Sequence, residues 1–328
     1  MAGMGAHNSI TDVPGLIAGH ATDRERLTGC TVVLFDHDAI AGAFLAGAAT
    51  STRQIDSLSP HHFVEGINAI FLTGGSAFGL DAAAGVMRFL EEKGKGLQVR
   101  YAKVPIVPTA AIFDLALGDH LARPSPEMAY EACEAASSEP LAEGSIGAGV
   151  GASVGKLFGI EHACKGGVGS CSRVFPDGLT IAALTVVNAF GDIVDPRTGQ
   201  VIAGVRDPSD PKRFCNAAAT LSGGGVQPPG FSNTVLSVVA TNACLTKPQA
   251  THLARMAAAG IARAVNPAHT NFDGDLVFAV STGNMASNLN ALGAAAAELV
   301  SESILRAIKA ADGFGLIPAW KDLQKDEG

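Results

Sequence analysis

Short, densely apolar runs alternate along the chain with longer segments whose apolar residues recur every three or four positions, the patterns of buried strands and amphipathic helices. Two early strands are predicted at residues 30–36 and 40–48, separated by a turn at His37-Asp38. A third, residues 69–73, meets Gly74-Gly75-Ser76 and then a helix on which Phe78, Leu80, Ala84, Val86, Met87 and Leu90 fall at helical spacing. Gly94 and Gly96 end that helix. Residues 104–117 read as an extended, proline-containing segment passing into Ile112-Phe113-Asp114, and 127–136 as a short helix. Strands are expected near 180–188, 192–195, 234–241 and 276–281, with helices at about 248–265 and 286–311. Strands grouped within each half, with helices outside them, predict an α/β protein of layered sheets covered by helices. The pattern leaves strand order open.

Composition narrows the class. Of 328 residues, 47% are hydrophobic and only 16% charged, enough for a large core and too few charges for disorder. Nothing divides the chain, so residues 1–328 are read as one domain. A net charge of −8 argues against nucleic acid as a partner, because phosphate binding needs a basic surface. The first residues lack a basic region followed by an apolar stretch, and no charge-free apolar run is long enough to span a bilayer. The six cysteines lack the paired short spacings of a metal or redox site and are read as reduced thiols, so a cytoplasmic location without membrane contact is expected. The histidines lack i, i+4 pairing with nearby acids, and no metal or other cofactor is expected.

The most informative chemistry lies where a Gly- and Pro-rich loop, residues 223–232, passes through Asn233-Thr234 into the apolar run Val235-Leu-Ser-Val-Val-Ala-Thr241. A threonine suits the start of any strand. If the chain is cut between Asn233 and Thr234, however, Thr234 carries both a nucleophilic hydroxyl and its own amine base.

Three other places invite weighing. The run from Gly144 to Lys156 is too irregular for a Walker loop: position 150 is Val, and Leu157 stands where Ser or Thr should bind magnesium. What remains is a Gly-rich strand or turn with close backbone approach, presenting Lys156 in an apolar setting that makes its pKa responsive to neighbours. Asp273-Gly274-Asp275 precedes the run 276–280; Asp-Gly favours a turn, whereas a strand extended backwards would put both carboxylates on one face. His269 just before them reads as structural. Asn188, at a strand end, either begins a turn or donates to an oxyanion.

Taken together these pieces resemble the DmpA-type family of self-cleaving N-terminal-nucleophile hydrolases, which includes L-aminopeptidases/D-esterases, β-peptidyl aminopeptidases and nylon-oligomer hydrolases. The resemblance covers nearly the whole chain. It rests on Ile10-Thr-Asp-Val-Pro-Gly-Leu16, Gly29-Cys-Thr-Val-Val-Leu34, Leu72-Thr-Gly-Gly-Ser-Ala-Phe-Gly-Leu-Asp81, Gly147–Lys156, Asn233–Asn242 and Phe272–Thr282. It implies a four-layer α/β/β/α sandwich and a homo-oligomer. It also implies self-cleavage of Asn233-Thr234 into 1–233 and 234–328, with Thr234 as nucleophile and Lys156 and Asn188 at active-site positions. Asp273 and Asp275 match the acidic pair of the threonine-nucleophile, nylon-oligomer-hydrolase branch. Where relatives often carry Tyr in an Ile-Tyr-Asp motif, this chain has Phe113, so a hydroxyl in the implied substrate site is missing.

The activity implied is amide hydrolysis through an acyl-enzyme on Thr234, by an aminopeptidase acting on small peptides or a hydrolase of 6-aminohexanoate oligomers. Two alternatives stand beside it. One is an acyltransferase resembling ornithine acetyltransferase, and the other is a non-catalytic binding protein on the same fold.

Overall fold

The computed structural model of the chain describes residues 2–224 and 233–324. The loop expected at 223–232 therefore lies outside the described residues from 225 onward.

Nine strands of the described residues join in one mixed sheet. In chain order they are β1 (Leu16–Asp23), β2 (Thr28–Leu45), β3 (Ser51–Arg53), β4 (Ile67–Thr73), β5 (Thr109–Ala111), β6 (Gly167–Val174), β7 (Thr180–Asn188), β8 (Thr234–Ala243) and β9 (Leu276–Met285). Their lateral order is β6-β7-β8-β9-β2-β4-β5-β3, with β1 paired along β2. The β8–β9 and β4–β5 pairs are parallel and the others antiparallel.

The long strand β2 joins the two halves. Its first part pairs with β1 and β4, its second with β9, and the register shifts between Leu34 and Ala39. This corrects the turn expected at His37-Asp38. Asp36, His37 and Asp38 are exposed on an irregular stretch while the backbone continues as strand. An exposed polar triplet satisfies a bulge as well as a turn, and the apolar runs on both sides keep their partners across it.

Period-2 alternation sorts the side chains into three cores. Val33, Phe35, Ile70 and Leu72 meet Leu184, Val186, Leu236, Val238 and Phe278 between the two sheet halves. On the outer side of β2 and β4, Val32, Leu34, Ala69 and Phe71 pack against α1 (Ala83–Glu92) and α2 (Pro126–Glu134). On the outer side of β7, β8 and β9, Ile181, Ala183, Val235, Val239 and Val277 pack against α3 (Lys247–Ala264) and α4 (Leu289–Ala310). The layers run helix, sheet, sheet, helix, as expected. Burial on both faces is why these strands read as continuous apolar runs rather than alternating ones.

Two details differ from the sequence pattern. Phe78 and Ala84 are exposed, because the segment begins as a short helix, Ser76–Gly79, and a 3-10 turn, Leu80–Ala82, before α1, which breaks the helical spacing. Strands β1, β3 and β6 were not anticipated. In β6, Gly-Val-Gly-Ser-Cys-Ser lacks strand-forming bulk because α4 lies against it: a Cβ on Gly169 would stand 2.1 Å from the Ser303 carbonyl oxygen. All six cysteines are free thiols. No helix among the described residues is long and apolar enough to cross a membrane.

Candidate active site

The ends of three adjacent strands deliver the candidate residues to one place. Thr234 opens β8 directly opposite Asn188, the last residue of β7. On the other flank, Asn233 bridges in parallel to Asp273, so the pairing of β8 with β9 continues back through the acidic pair. The Asp273-Gly274-Asp275 segment is thus an extended lead-in to β9 rather than the turn that Asp-Gly favours. Its carbonyls are held from the far side, Asp273 O by Ala49 N–H (2.9 Å) and Asp275 O by Ala46 and Gly47 N–H (2.9 and 3.0 Å).

The junction itself is buried, with Asn233 and Thr234 each about 5% exposed or less. The Thr234 hydroxyl donates to the Asn233 carbonyl oxygen at 2.5 Å. Gly274 N–H donates to the same oxygen at 2.8 Å. One carbonyl therefore has a hydroxyl and a backbone donor together upon it. Only glycine fits between them: a Cβ at 274 would stand 2.7 Å from Ala49 O and 2.8 Å from Thr234 Oγ1.

Both carboxylates are buried and hydrogen-bonded. Asp275 accepts from Val235 N–H (2.8 Å), His269 N–H (3.2 Å) and His269 Nδ1 (2.9 Å). That hydrogen bond raises the His269 pKa. Asp273 accepts from Thr270 N–H (2.8 Å) and Thr270 Oγ1 (2.7 Å). Burial, reinforced by the neighbouring Asp275 charge, pushes Asp273 up to about 6, against the pull of Thr270 and Lys156.

Lys156 reaches this site from the Gly-rich segment. Its Nζ donates to Asn188 Oδ1 (2.8 Å) and Asn188 O (3.0 Å). Burial pushes it down to about 7; Asp273 and Asp275 raise it and Lys165 lowers it. Asn188 is held in place, accepting from Ser153 N–H (3.0 Å) and donating from Nδ2 to Phe113 O (3.0 Å). The glycines let this segment press backbone on backbone. Gly155 has φ +72°, and a Cβ there would meet Gly204 C at 2.2 Å.

A pocket of about 230 Å³ opens on Thr234. Asn233 and Thr234 form one side, Phe113 and Phe272 supply aromatic walls, and Ala49, Ser51, Ser76 and Ala111 complete it. A larger cavity of about 570 Å³ lies elsewhere, between Arg173, Arg263 and the Glu298 side of α4. Its Arg173 is tied to Glu298 at 2.7 Å, and its one thiol, Cys171, is pushed up by burial, so it holds no activated nucleophile.

The comparison with protein families decides what this geometry belongs to: the model described as peptidase family S58 matches residues 8–316. The chain belongs to peptidase family S58. An uncharacterized aminopeptidase of Mycobacterium tuberculosis is 37% identical over 96% of this chain and 98% of its own length. A 6-aminohexanoate-oligomer endohydrolase of Paenarthrobacter ureafaciens is 30% identical over 91% of this chain and 85% of its own. Among solved structures, a β-aminopeptidase of a Burkholderia species superposes with a TM-score of 0.73 at 23% identity, covering 99% of this chain and 94% of that one, a likeness of fold. As a family S58 member the chain is a hydrolase with the N-terminal-nucleophile-hydrolase sandwich.

Within that family frame, the structure brings all the residues singled out from the sequence together: Thr234, Asn233, Lys156, Asn188, Asp273 and Asp275 around the junction, and Phe113 on the pocket wall. The sequence did not single out Ser51, Ser76, the Gly274 N–H, the His269 bond to Asp275, or Lys165. Lys165 is wholly buried, its Nζ donating to Ala152 O (2.8 Å), Gly166 O (3.0 Å) and Gly149 O (3.1 Å), and it pins the segment that carries Lys156. The small and apolar residues around it, Ala163-Cys164 and Gly166-Gly167, were the available signal, the same that drew attention to Lys156.

Proposed function

We propose that the chain cuts itself before Thr234 and then hydrolyses amide bonds of small peptides or ω-amino acid oligomers through an ester on that residue. The observation that carries the reading is the Asn233 carbonyl, held between the Thr234 hydroxyl and the Gly274 N–H.

In the first reaction the Thr234 oxygen adds to the Asn233 carbonyl carbon, and the Gly274 N–H supports the negative charge that develops on the oxygen. The carbon–nitrogen bond breaks, and the nitrogen takes the proton given up by the hydroxyl. The Asn233 acyl group is left as an ester on Thr234. Water cleaves the ester, giving residues 1–233 and 234–328 and freeing both the hydroxyl and the α-amine of Thr234. An α-amine has a reference pKa of roughly 7.7–8.0, so it serves as a base near neutrality. A positioned base is typically worth about 10² to 10⁴ in rate.

The freed hydroxyl then attacks a substrate amide in the pocket lined by Phe113 and Phe272, passing its proton through the α-amine to the departing amine. Water releases the acyl group. In its cationic form Lys156 disfavours a second positive charge and so keeps the Thr234 amine neutral. Asp275 holds the start of β8 through Val235 N–H, Asp273 braces its own lead-in through Thr270, and Asn188, on the opposite flank, takes the oxyanion of this second reaction. Self-association is part of the reading; large apolar side chains left on the surface, Phe63, Tyr101 and Leu121 among them, support it.

The test is direct. Purified wild type, run on a denaturing gel with mass measurement, is expected as two fragments, the second beginning at Thr234, and it should hydrolyse an aminoacyl p-nitroanilide or a 6-aminohexanoate oligomer. Thr234→Ala should remain one chain and lose at least about 10⁴-fold in activity. An uncut wild type with full amidase activity sinks the mechanism.

A further inference from the structure

Ser76 stands on the wall of the Thr234 pocket in a conformation that serine does not take freely. Its φ is +56°, in the left-handed region, directly after Gly75 at φ +79°. Glycine adopts that region without penalty, whereas a side chain there is held under strain. The surrounding structure enforces it. Ser76 N–H donates to Ile112 O at 2.9 Å, and Gly75 N–H donates to Asp114 Oδ1 at 2.7 Å. The other oxygen of the buried Asp114 accepts from Thr28 Oγ1 at 2.9 Å, which keeps the carboxylate aimed at the turn.

Those bonds use the backbone of 75 and 76, and a glycine at 76 would make the same ones without strain. The Ser76 hydroxyl has no hydrogen bond to any described residue, so nothing within the described chain repays its presence. Ser76 lines the pocket together with Ala111, Phe113 and Thr234, and that lining carries no charged side chain. A hydroxyl in a neutral pocket offers one donor and two acceptor positions, suited to a peptide group rather than to an ion.

We infer that Ser76 is a substrate-positioning residue whose hydroxyl hydrogen-bonds the amide backbone of the substrate and holds the scissile carbonyl over Thr234. The inference rests on Thr234 being the nucleophile. Persistent strain at a pocket wall fits such a role, since strained residues hold a geometry that binding uses.

The experiment compares Ser76→Ala and Ser76→Gly with wild type and Thr234→Ala, all as full chains. Self-cleavage is followed by mass, steady-state hydrolysis with an alanyl p-nitroanilide and a 6-aminohexanoate oligomer, and stability by thermal melting. Ala removes the hydroxyl and keeps the strain; Gly removes both. Both variants are expected to cleave before Thr234 and to lose about 10-fold in kcat/KM, mostly as a higher KM, the scale of one neutral hydrogen bond. Ser76→Gly should melt above Ser76→Ala. Wild-type KM and kcat/KM in Ser76→Ala overturn the inference, because the hydroxyl is then idle. So does loss confined to Ser76→Gly, which would reflect backbone freedom, or failure of both variants to self-cleave, which would assign Ser76 to the fold. A wild type that stays one chain removes the nucleophile itself, a failure distinct from an active wild type matched by its Ser76→Ala variant.

Discussion

At the scale of single residues, the site is made by exact fits around one carbonyl. Gly274 is the clearest case, since its N–H sits on Asn233 O while its missing side chain leaves room for the Thr234 hydroxyl. Gly274→Ala should therefore slow self-cleavage by at least about 10-fold, read from the uncut fraction over time after synthesis; unchanged cleavage would remove Gly274 from the mechanism. Lys156 makes a second prediction. A cation beside the Thr234 amine lowers that amine's pKa, so Lys156→Met should move the acidic limb of the kcat/KM profile to higher pH in whatever protein matures. A limb that stays put, or moves to lower pH, contradicts the role. Much of this was legible beforehand. Thr234 was marked by a loop meeting a strand, and the acids by their spacing. Ser76 was visible only as part of a Gly-Gly-Ser run, because a sequence does not print its φ angles. Gly274 was invisible for the opposite reason: Asp-Gly has a strong local preference for a turn, which the pairing with Asn233 on one side and residues 46–49 on the other overrides.

At the scale of elements, the Gly-rich segment is a clamp. Its glycines admit close backbone contacts, and the buried Lys165 ties it through three carbonyl oxygens. Three donors on three acceptors suit an ammonium, while burial pushes the same group down to about 7 from 10.5. Below about pH 7 the folded and unfolded chains both hold the proton, and burying the charge costs stability. Between about 7 and 10.5 only the unfolded chain keeps it, so this group makes stability rise with pH. Lys165→Met should lose part of that rise, measured as the change in melting temperature between pH 7 and pH 9. It should also destabilise the protein at pH 7 by about 2 kcal/mol or more, because buried carbonyls are left without donors. An equal pH slope in wild type and variant would show that Lys165 does not titrate there. The elements that periodicity found, from β4 to α4, are those whose apolar runs are long. It missed the three-residue β3, and also β1 and β6, where small side chains answer to a neighbouring helix and not to strand propensity.

At the scale of the whole molecule, the proposed cleavage before Thr234 would open the chain without opening the fold. The fragment from 234 onward would supply β8 and β9 at the middle of the sheet, with α3 and α4 over them. β8 pairs with β7 and β9 pairs with β2, both from the other fragment. The two pieces are therefore expected to run as one species in size-exclusion chromatography under native conditions and to part only in denaturant. Separation in plain buffer would contradict the shared sheet.

The sequence by itself determined the layered α/β class, the run of strands and helices with long apolar signatures, and, through its motifs, which residues to look for around the 233–234 junction. These follow from local periodicity, composition and motif. Tertiary structure decided strand order, the continuity of β2 through its bulge, the extended form of 273–275, the burial of Lys156 and Lys165, and the strained turn at Ser76. Each of these depends on which distant backbone lies alongside, and hydrogen bonds and close packing between segments far apart in the chain outweigh local preference there.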